Sequence, residues 1–220
     1  MINIKNVYFS FPDTEVLEDV NLCINDGEFV GILGPNGGGK STLMRLILKL
    51  LKPQKGSVEV SDKKISYISQ NMATSDSGFP ATVKEVVSLG LVKNKPTIFS
   101  MKKDKLKVEE ILKKLDIYEL RNKLITELSG GQYQRVKIAK ALIGEPTLII
   151  LDEPDAGMDE ESHENLLHII EQLHEQKITI IFVSHHPEDL HEADRIYFVE
   201  DGKVLTYEEE LERGHHHATL

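Results

Sequence analysis

The chain has 220 residues, of which 36 are acidic and 26 basic, for a formal net charge of −10. That length allows one large or two small domains with a proper core. The acidity gives no overall electrostatic pull on nucleic-acid phosphates, which argues against a DNA or RNA coat. The single cysteine, Cys23, rules out an internal disulfide and suits a reducing compartment.

The first third is β-rich in pattern. Ile2, Ile4 and Val7 alternate like a strand rather than forming a signal peptide. Val20, Leu22 and Ile24 alternate with Asp19, Asn21 and Cys23, the pattern of a half-buried strand with Cys23 as a strand residue. Phe29-Val30-Gly31-Ile32-Leu33 runs directly into Gly34-Pro35-Asn36-Gly37-Gly38-Gly39-Lys40-Ser41. That string fits G-x-x-x-x-G-K-[ST], the phosphate-cradling P-loop. Leu43, Leu46, Ile47 and Leu50 then recur at helical spacing, and Pro53 is expected to end the helix. Strand, glycine loop and helix together are the context that distinguishes a P-loop from an ordinary glycine-rich turn. Its consecutive glycines let backbone N–H groups surround a β-phosphate, and the helix beginning at Lys40 adds its positive end. Lys40 supplies a charge to the β- and γ-phosphates, Ser41 a hydroxyl ligand for Mg2+, and Thr42 is placed to help at the α-phosphate.

From about Thr82 to Gly144 the pattern is mostly helical. Val83, Val86, Val87 and Gly90 form one stretch, and Val108, Ile111, Leu112 and Leu115 a second with a lysine-rich outer face. A third starts near Gly130 and carries Val136, Ile138, Ala139 and Leu142. Buried-strand runs follow at Leu148–Leu151, Ile178–Val183 and Ile196–Val199, with an acidic helix (Leu166, Leu167, Ile170, Leu173) between the first two. Near-continuous apolar strands alternating with helices indicate a parallel sheet covered on both faces, with the helical middle inserted into it. The acidic clusters at Glu160, Glu161 and Glu164 and at Glu208 to Glu210 are solvated helix faces in this reading. No apolar run approaches the ~20 residues needed to span a bilayer, so work at a membrane requires another chain to do the spanning.

Leu148-Ile149-Ile150-Leu151-Asp152-Glu153 is an apolar strand ending in two carboxylates, the form of a Walker B motif. Asp152 would hold the magnesium and Glu153 would polarise the attacking water. Leu128-Ser129-Gly130-Gly131-Gln132 opens the third helix and makes a second anion-binding helix N-terminus.

The P-loop, Leu128 to Gln132 and the Asp152-Glu153 strand, in this order, resemble the ATPase subunit of ATP-binding cassette (ABC) proteins. The resemblance covers essentially the whole chain. It implies a P-loop NTPase of ABC-ATPase fold in the α/β class. That fold has a mainly parallel sheet core, an N-terminal antiparallel β subdomain and an inserted helical subdomain at about 75–145. Together these would form a single domain over 1–220, with a loose tail at 214–220. Ser129, Gly130, Gly131 and Gln132 resemble the family signature, which implies a head-to-tail dimer with each ATP between one chain's P-loop and the other's signature. Gln70, in Tyr67-Ile68-Ser69-Gln70, resembles the Q-loop glutamine, a magnesium or water ligand that also reports on a docked partner. His185, in Phe182-Val183-Ser184-His185, resembles the switch histidine that bonds the γ-phosphate. Phe11 aligns with the aromatic that stacks on adenine, with Phe9 the core residue of the pair. Ala156-Gly157-Met158-Asp159 resembles the D-loop, with Asp159 touching the opposite subunit. Departures are Gly38 where Ala or Ser is usual, Lys140 where Arg is usual, and His186 where the family often has Asp. An active ATPase using ATP and Mg2+ is expected.

Gly78-Phe79-Pro80-Ala81-Thr82-Val83-Lys84-Glu85-Val86-Val87-Ser88-Leu89-Gly90 looks like the matching stretch of zinc and manganese importer ATPases. In that group it lies beside the groove for a permease helix. The implied partners are permease subunits, a second copy of the chain and, indirectly, an extracytoplasmic solute-binding protein, but no nucleic acid. The implied location is the cytoplasmic face of the membrane. An iron-siderophore importer ATPase and a soluble non-transport ABC ATPase remain the alternatives. Repair types carry long coiled-coil insertions, ribosomal types two cassettes, and sugar-importer types a long C-terminal regulatory domain, and none of these is visible here. Nine histidines include His185, His186 and His191 and the run His215 to His217. For that run, a metal-sensing tail, an appended remnant and plain surface all stay open.

Overall fold

The computed structural model describes residues 1–61, 64–69, 80–91, 98–154 and 158–211. Among them, nine strands and five α-helices make up the fold, and a short helical segment follows at 207–211. The strands are β1 (Ile2–Phe11), β2 (Thr14–Ile24), β3 (Phe29–Leu33), β4 (Lys55–Val60), β5 (Ile65–Ile68), β6 (Leu148–Asp152), β7 (Thr179–Val183), β8 (Arg195–Glu200) and β9 (Lys203–Thr206). The helices are α1 (Lys40–Ile47), α2 (Val83–Ser88), α3 (Ile98–Lys114), α4 (Gly130–Leu142) and α5 (Glu160–Glu175). No helix among the described residues is long and apolar enough to cross a membrane.

The core sheet has the order β5-β6-β7-β3-β8-β9. Every pairing from β5 to β8 is parallel, and β9 adds an antiparallel edge. The N-terminal sheet, order β2-β1-β4, is antiparallel throughout. This is the fold that the resemblance implies.

The central parallel strands are apolar over residues 29–33, 148–151 and 180–183 because each face meets a different layer. Val30, Ile32, Leu148, Ile150, Ile181 and Val183 pack with α1 and the N-terminal sheet. Their neighbours Phe29, Leu33, Ile149, Leu151, Ile180 and Phe182 pack with the helical layer of α2 to α5. A period-two strand buried on both faces must be apolar at every position. In β2, by contrast, Val20, Leu22 and Ile24 are buried while Asp19 and Asn21 are exposed, as expected of a half-buried strand.

One helix boundary differs from expectation. α1 ends at Ile47, well before Pro53. Lys49 takes a left-handed backbone (φ 58), and the amides of Leu50 and Leu51 return to the Arg45 carbonyl. That closure satisfies the carbonyls of the last turn and stops the helix without proline. Leu50, expected on the apolar face, is consequently 69% exposed.

The helical layer is tight where α2 ends against α4. A Cβ on Gly90 would lie 2.0 Å from the Lys140 carbonyl oxygen and 2.6 Å from Ile143 Cγ2. Gly90→Ala is therefore expected to lower unfolding free energy by about 1–3 kcal/mol, measured by urea denaturation.

Candidate active site

Four functional segments lie at the carboxyl ends of four adjacent parallel strands, β5, β6, β7 and β3. Open α/β sheets bind ligands at that edge. β3 delivers the glycine loop, β6 delivers Asp152 and Glu153, β7 delivers Ser184 and His185, and β5 delivers Tyr67.

The loop is held close to the sheet. A Cβ on Gly34 would sit 2.0 Å from the Val199 carbonyl oxygen, and one on Gly38 would sit 2.5 Å from the same atom. Gly34 also has φ 141, a conformation that side chains rarely adopt. Only glycine fits both restraints, so the loop rests directly on the end of β8. Pro35, Asn36 and Gly37 are exposed at its rim, and Gly39 precedes the first residue of α1. Lys40 and Thr42 are buried, while Ser41 is exposed.

Lys40 Nζ donates to the carbonyls of Gly34 (2.7 Å) and Pro35 (3.1 Å) and lies 3.7 Å from Glu153 Oε1. The other Glu153 oxygen lies 3.1 Å from His185 Nε2. Lys40, Glu153 and His185 thus form one chain of contacts across three strands, two members of it almost fully buried. Removing one partner of such a buried pair costs about 3–5 kcal/mol, because the other charge is left without compensation. Glu153 has φ 48, a left-handed backbone for a non-glycine residue, and its amide donates to the Val183 carbonyl at 3.0 Å. That strained backbone places the carboxylate at the edge of the sheet instead of continuing β6.

Asp152, 4% exposed, takes the side of β6 that faces α1. The Ser41 hydroxyl lies 3.5 Å from its Oδ2, and the Tyr67 hydroxyl donates to that same oxygen at 2.8 Å. Burial first, then the bond to Asp152, raises the Tyr67 phenol above its ordinary range, so it serves there as a proton donor. A hydroxyl and a carboxylate at this separation, beside a phosphate-binding loop, fit magnesium. That ion is held by one or two carboxylates, waters and substrate phosphates rather than by an all-protein cage. His186 is 53% exposed and lies 3.5 Å from Glu188. Gln70 and the tail histidines His215 to His217 lie outside the described residues.

The signature segment lies apart from this cluster. Ser129 caps α4: its hydroxyl accepts from the Gln132 amide at 3.3 Å, while the Gln132 side chain accepts from the Ser129 amide at 3.3 Å. The S-x-x-Q spacing is therefore a reciprocal capping box, which leaves the amides of Gly130 and Gly131 at the helix start. Gly131 is buried against α5, where a Cβ would lie 2.1 Å from Ser162 Oγ. Asp159 caps α5 by accepting from the Ser162 amide at 2.9 Å. Hydrogen bonds from Ser162 hold its carboxyl below the ordinary range. Phe11 stands 42% exposed at the end of β1, edge-on to buried Phe9 with ring centroids 5.1 Å apart.

Three residues that sequence reasoning missed support His185. The Ser184 hydroxyl, fully buried, donates to Asp189 Oδ2 at 2.7 Å and accepts from the His186 amide at 2.9 Å. His163 Nε2 on α5 lies 2.8 Å from the other oxygen of Asp189. Asp189 thus ties the loop after β7 to α5. A buried acid inside Pro187-Glu188-Asp189-Leu190 has no periodic signal, and only the fold brings its partners to it. Asp189→Ala is expected to cost about 1–3 kcal/mol in chemical denaturation, since it strands a buried hydroxyl. Asp189→Asn, which keeps an acceptor for Ser184, should cost less.

A family model described as ABC transporter matches residues 17–156. The zinc uptake system ATP-binding protein ZurA of Listeria monocytogenes is 38% identical over 196 residues, which cover 84% of this chain and 76% of ZurA. The high-affinity zinc uptake system ATP-binding protein ZnuC of Bacillus subtilis is 35% identical over 213 residues, 92% of each chain. Among solved structures, the dimeric bacterial ABC transporter cassette MJ0796 superposes with a TM-score of 0.78 at 31% identity, over 93% of this chain and 96% of that one. A family model over more than half of the residues and relatives of this identity and coverage place the chain in the ABC transporter family.

Proposed function

We propose that this chain is the ATP-hydrolysing subunit of an importer for a divalent metal ion such as zinc or manganese. The observation that carries the ATPase reading is the chain of contacts from Lys40 through Glu153 to His185 beside the glycine loop. The metal reading is supported by the zinc-uptake relatives, which span most of the chain, and by the Phe79 to Gly90 sequence.

In this reading the amides of Gly37 to Ser41 and the Lys40 ammonium bind the β- and γ-phosphates, competing with the carbonyls that Lys40 caps. Phe11 offers its exposed face to adenine. Glu153 accepts a proton from the attacking water, and His185 holds the γ-phosphate in line. Ser41 and Asp152, with Gln70, would hold magnesium, which neutralises charge building on the transferred phosphate. Ser129, Gly130, Gly131 and Gln132 present the α4 N-terminus to the nucleotide on a second copy, and Asp159 meets that copy at the seam. ATP then bridges two head-to-tail copies, and its hydrolysis releases them. The whole chain acts as one cassette, with residues of about 75–145 as the helical subdomain that meets the permease. It sits on the cytoplasmic face of the membrane, with a solute-binding protein delivering the ion on the other side.

The test is purification with the permease in lipid, followed by ATP hydrolysis and uptake of radiolabelled zinc, manganese and iron. Glu153→Gln should lower turnover by about 10²–10⁴-fold while keeping ATP binding. ATP-dependent uptake of one ion, lost in that variant, is the expected result. Uptake of an iron-siderophore complex alone would move the cargo to the related importer group. Hydrolysis indifferent to any permease would point to a soluble cassette.

A further inference from the structure

Tyr67 belongs to none of the nucleotide motifs, yet its hydroxyl makes the shortest contact to the carboxylate beside Ser41. The geometry follows from register. β5 and β6 pair in parallel with Tyr67 opposite Ile150 and Ile68 opposite Leu151. Ile65 and Ile150 pack on the α1 side of the sheet, whereas Ile68 and Leu151 pack on the other. The period of two therefore assigns Tyr67 and Asp152 to the α1 side, where Ser41 begins its helix. The ring leans along the strand, so its hydroxyl reaches past Ile150 to Asp152 Oδ2 at 2.8 Å. The same oxygen lies 3.5 Å from Ser41 Oγ. β5 is the edge strand, and the ring is 38% exposed at the rim.

We propose that Tyr67 is a positioning residue for magnesium: its hydroxyl fixes the rotamer of Asp152 and occupies one lone pair of Oδ2, which orients the rest of the carboxylate toward the ion. This rests on the reading of Asp152 as the magnesium carboxylate. Groups that hold a metal's ligands are worth about 10–100-fold in metal affinity, because a ligand free to rotate must be ordered when the ion arrives. A phenol suits the position. It donates a single proton to a charged acceptor, and it brings no charge that would repel the ion or compete for the phosphates.

The test is the affinity of the full chain for the non-hydrolysable analogue AMPPNP, measured by calorimetry in EDTA and again in magnesium. Tyr67→Phe removes one oxygen and keeps the ring. It should weaken binding in magnesium by about 10-fold and leave binding in EDTA unchanged. The melting temperature without nucleotide serves as the control for folding. Equal loss in both buffers would assign Tyr67 a merely structural role and overturn the proposal, as would unchanged or tighter binding in magnesium. Asp152→Asn is measured alongside. If it abolishes the magnesium gain while Tyr67→Phe does nothing, the Tyr67 proposal alone falls. If Asp152→Asn keeps the gain, the reading of Asp152 falls and takes the proposal with it.

Discussion

The parallel pairing of β5, β6, β7 and β3 is the constraint from which the site follows. Parallel strands all end at one edge, so a lysine-bearing loop, two carboxylates, a histidine and a tyrosine from distant parts of the sequence meet there. That sheet is stable only if both faces are dry, which the helical layer and the N-terminal sheet with α1 each provide for one face. The period of two then sorts the polar groups at the edge. Asp152 turns toward α1 and Ser41, and Glu153 leaves the strand through its left-handed backbone.

Concentrating charge in such a place is unfavourable unless every member has a partner. Lys40 and Glu153 are both buried, and each lies within reach of the other. Lys40 is further satisfied by two loop carbonyls, and Glu153 by His185. Asp152 is held by two hydroxyls. The cost falls on folding, and the large apolar layers on both faces offset it.

Much of this was legible in the sequence because some residue patterns carry their structure with them. A strand running into Gly34 to Ser41 and then a helical repeat could form little else, and Ile150-Leu151-Asp152-Glu153 announced both a buried strand and its polar end. The alternation around Val20 to Ile24 gave the half-buried strand, and Phe9 and Phe11 divided as core and rim. What stayed hidden depended on contacts between distant segments. The stop of α1 comes from a local backbone closure at Lys49, which Pro53 only appeared to explain. Tyr67 reaches Asp152 only because β5 lies beside β6, which no local pattern in the sequence shows. Asp189 acquires its role only from Ser184 and from His163, the latter 26 residues away in the sequence. Ser129 and Gln132 carried a second meaning as well, since the spacing that marks the family is also what caps the helix.

The contact of Gly131 with Ser162 has a mechanical consequence. The first turns of α4 and α5 abut with no room for a single added carbon. Close-packed interiors transmit displacement because nothing between the parts can compress. The two helix starts therefore form one rigid corner. A displacement of Gly131 toward α5 meets Ser162 at once. His163 rides on α5 and grips Asp189, so the motion arrives at the loop that carries His185. The corner joins the capped start of α4, by way of α5, to the loop that carries His185.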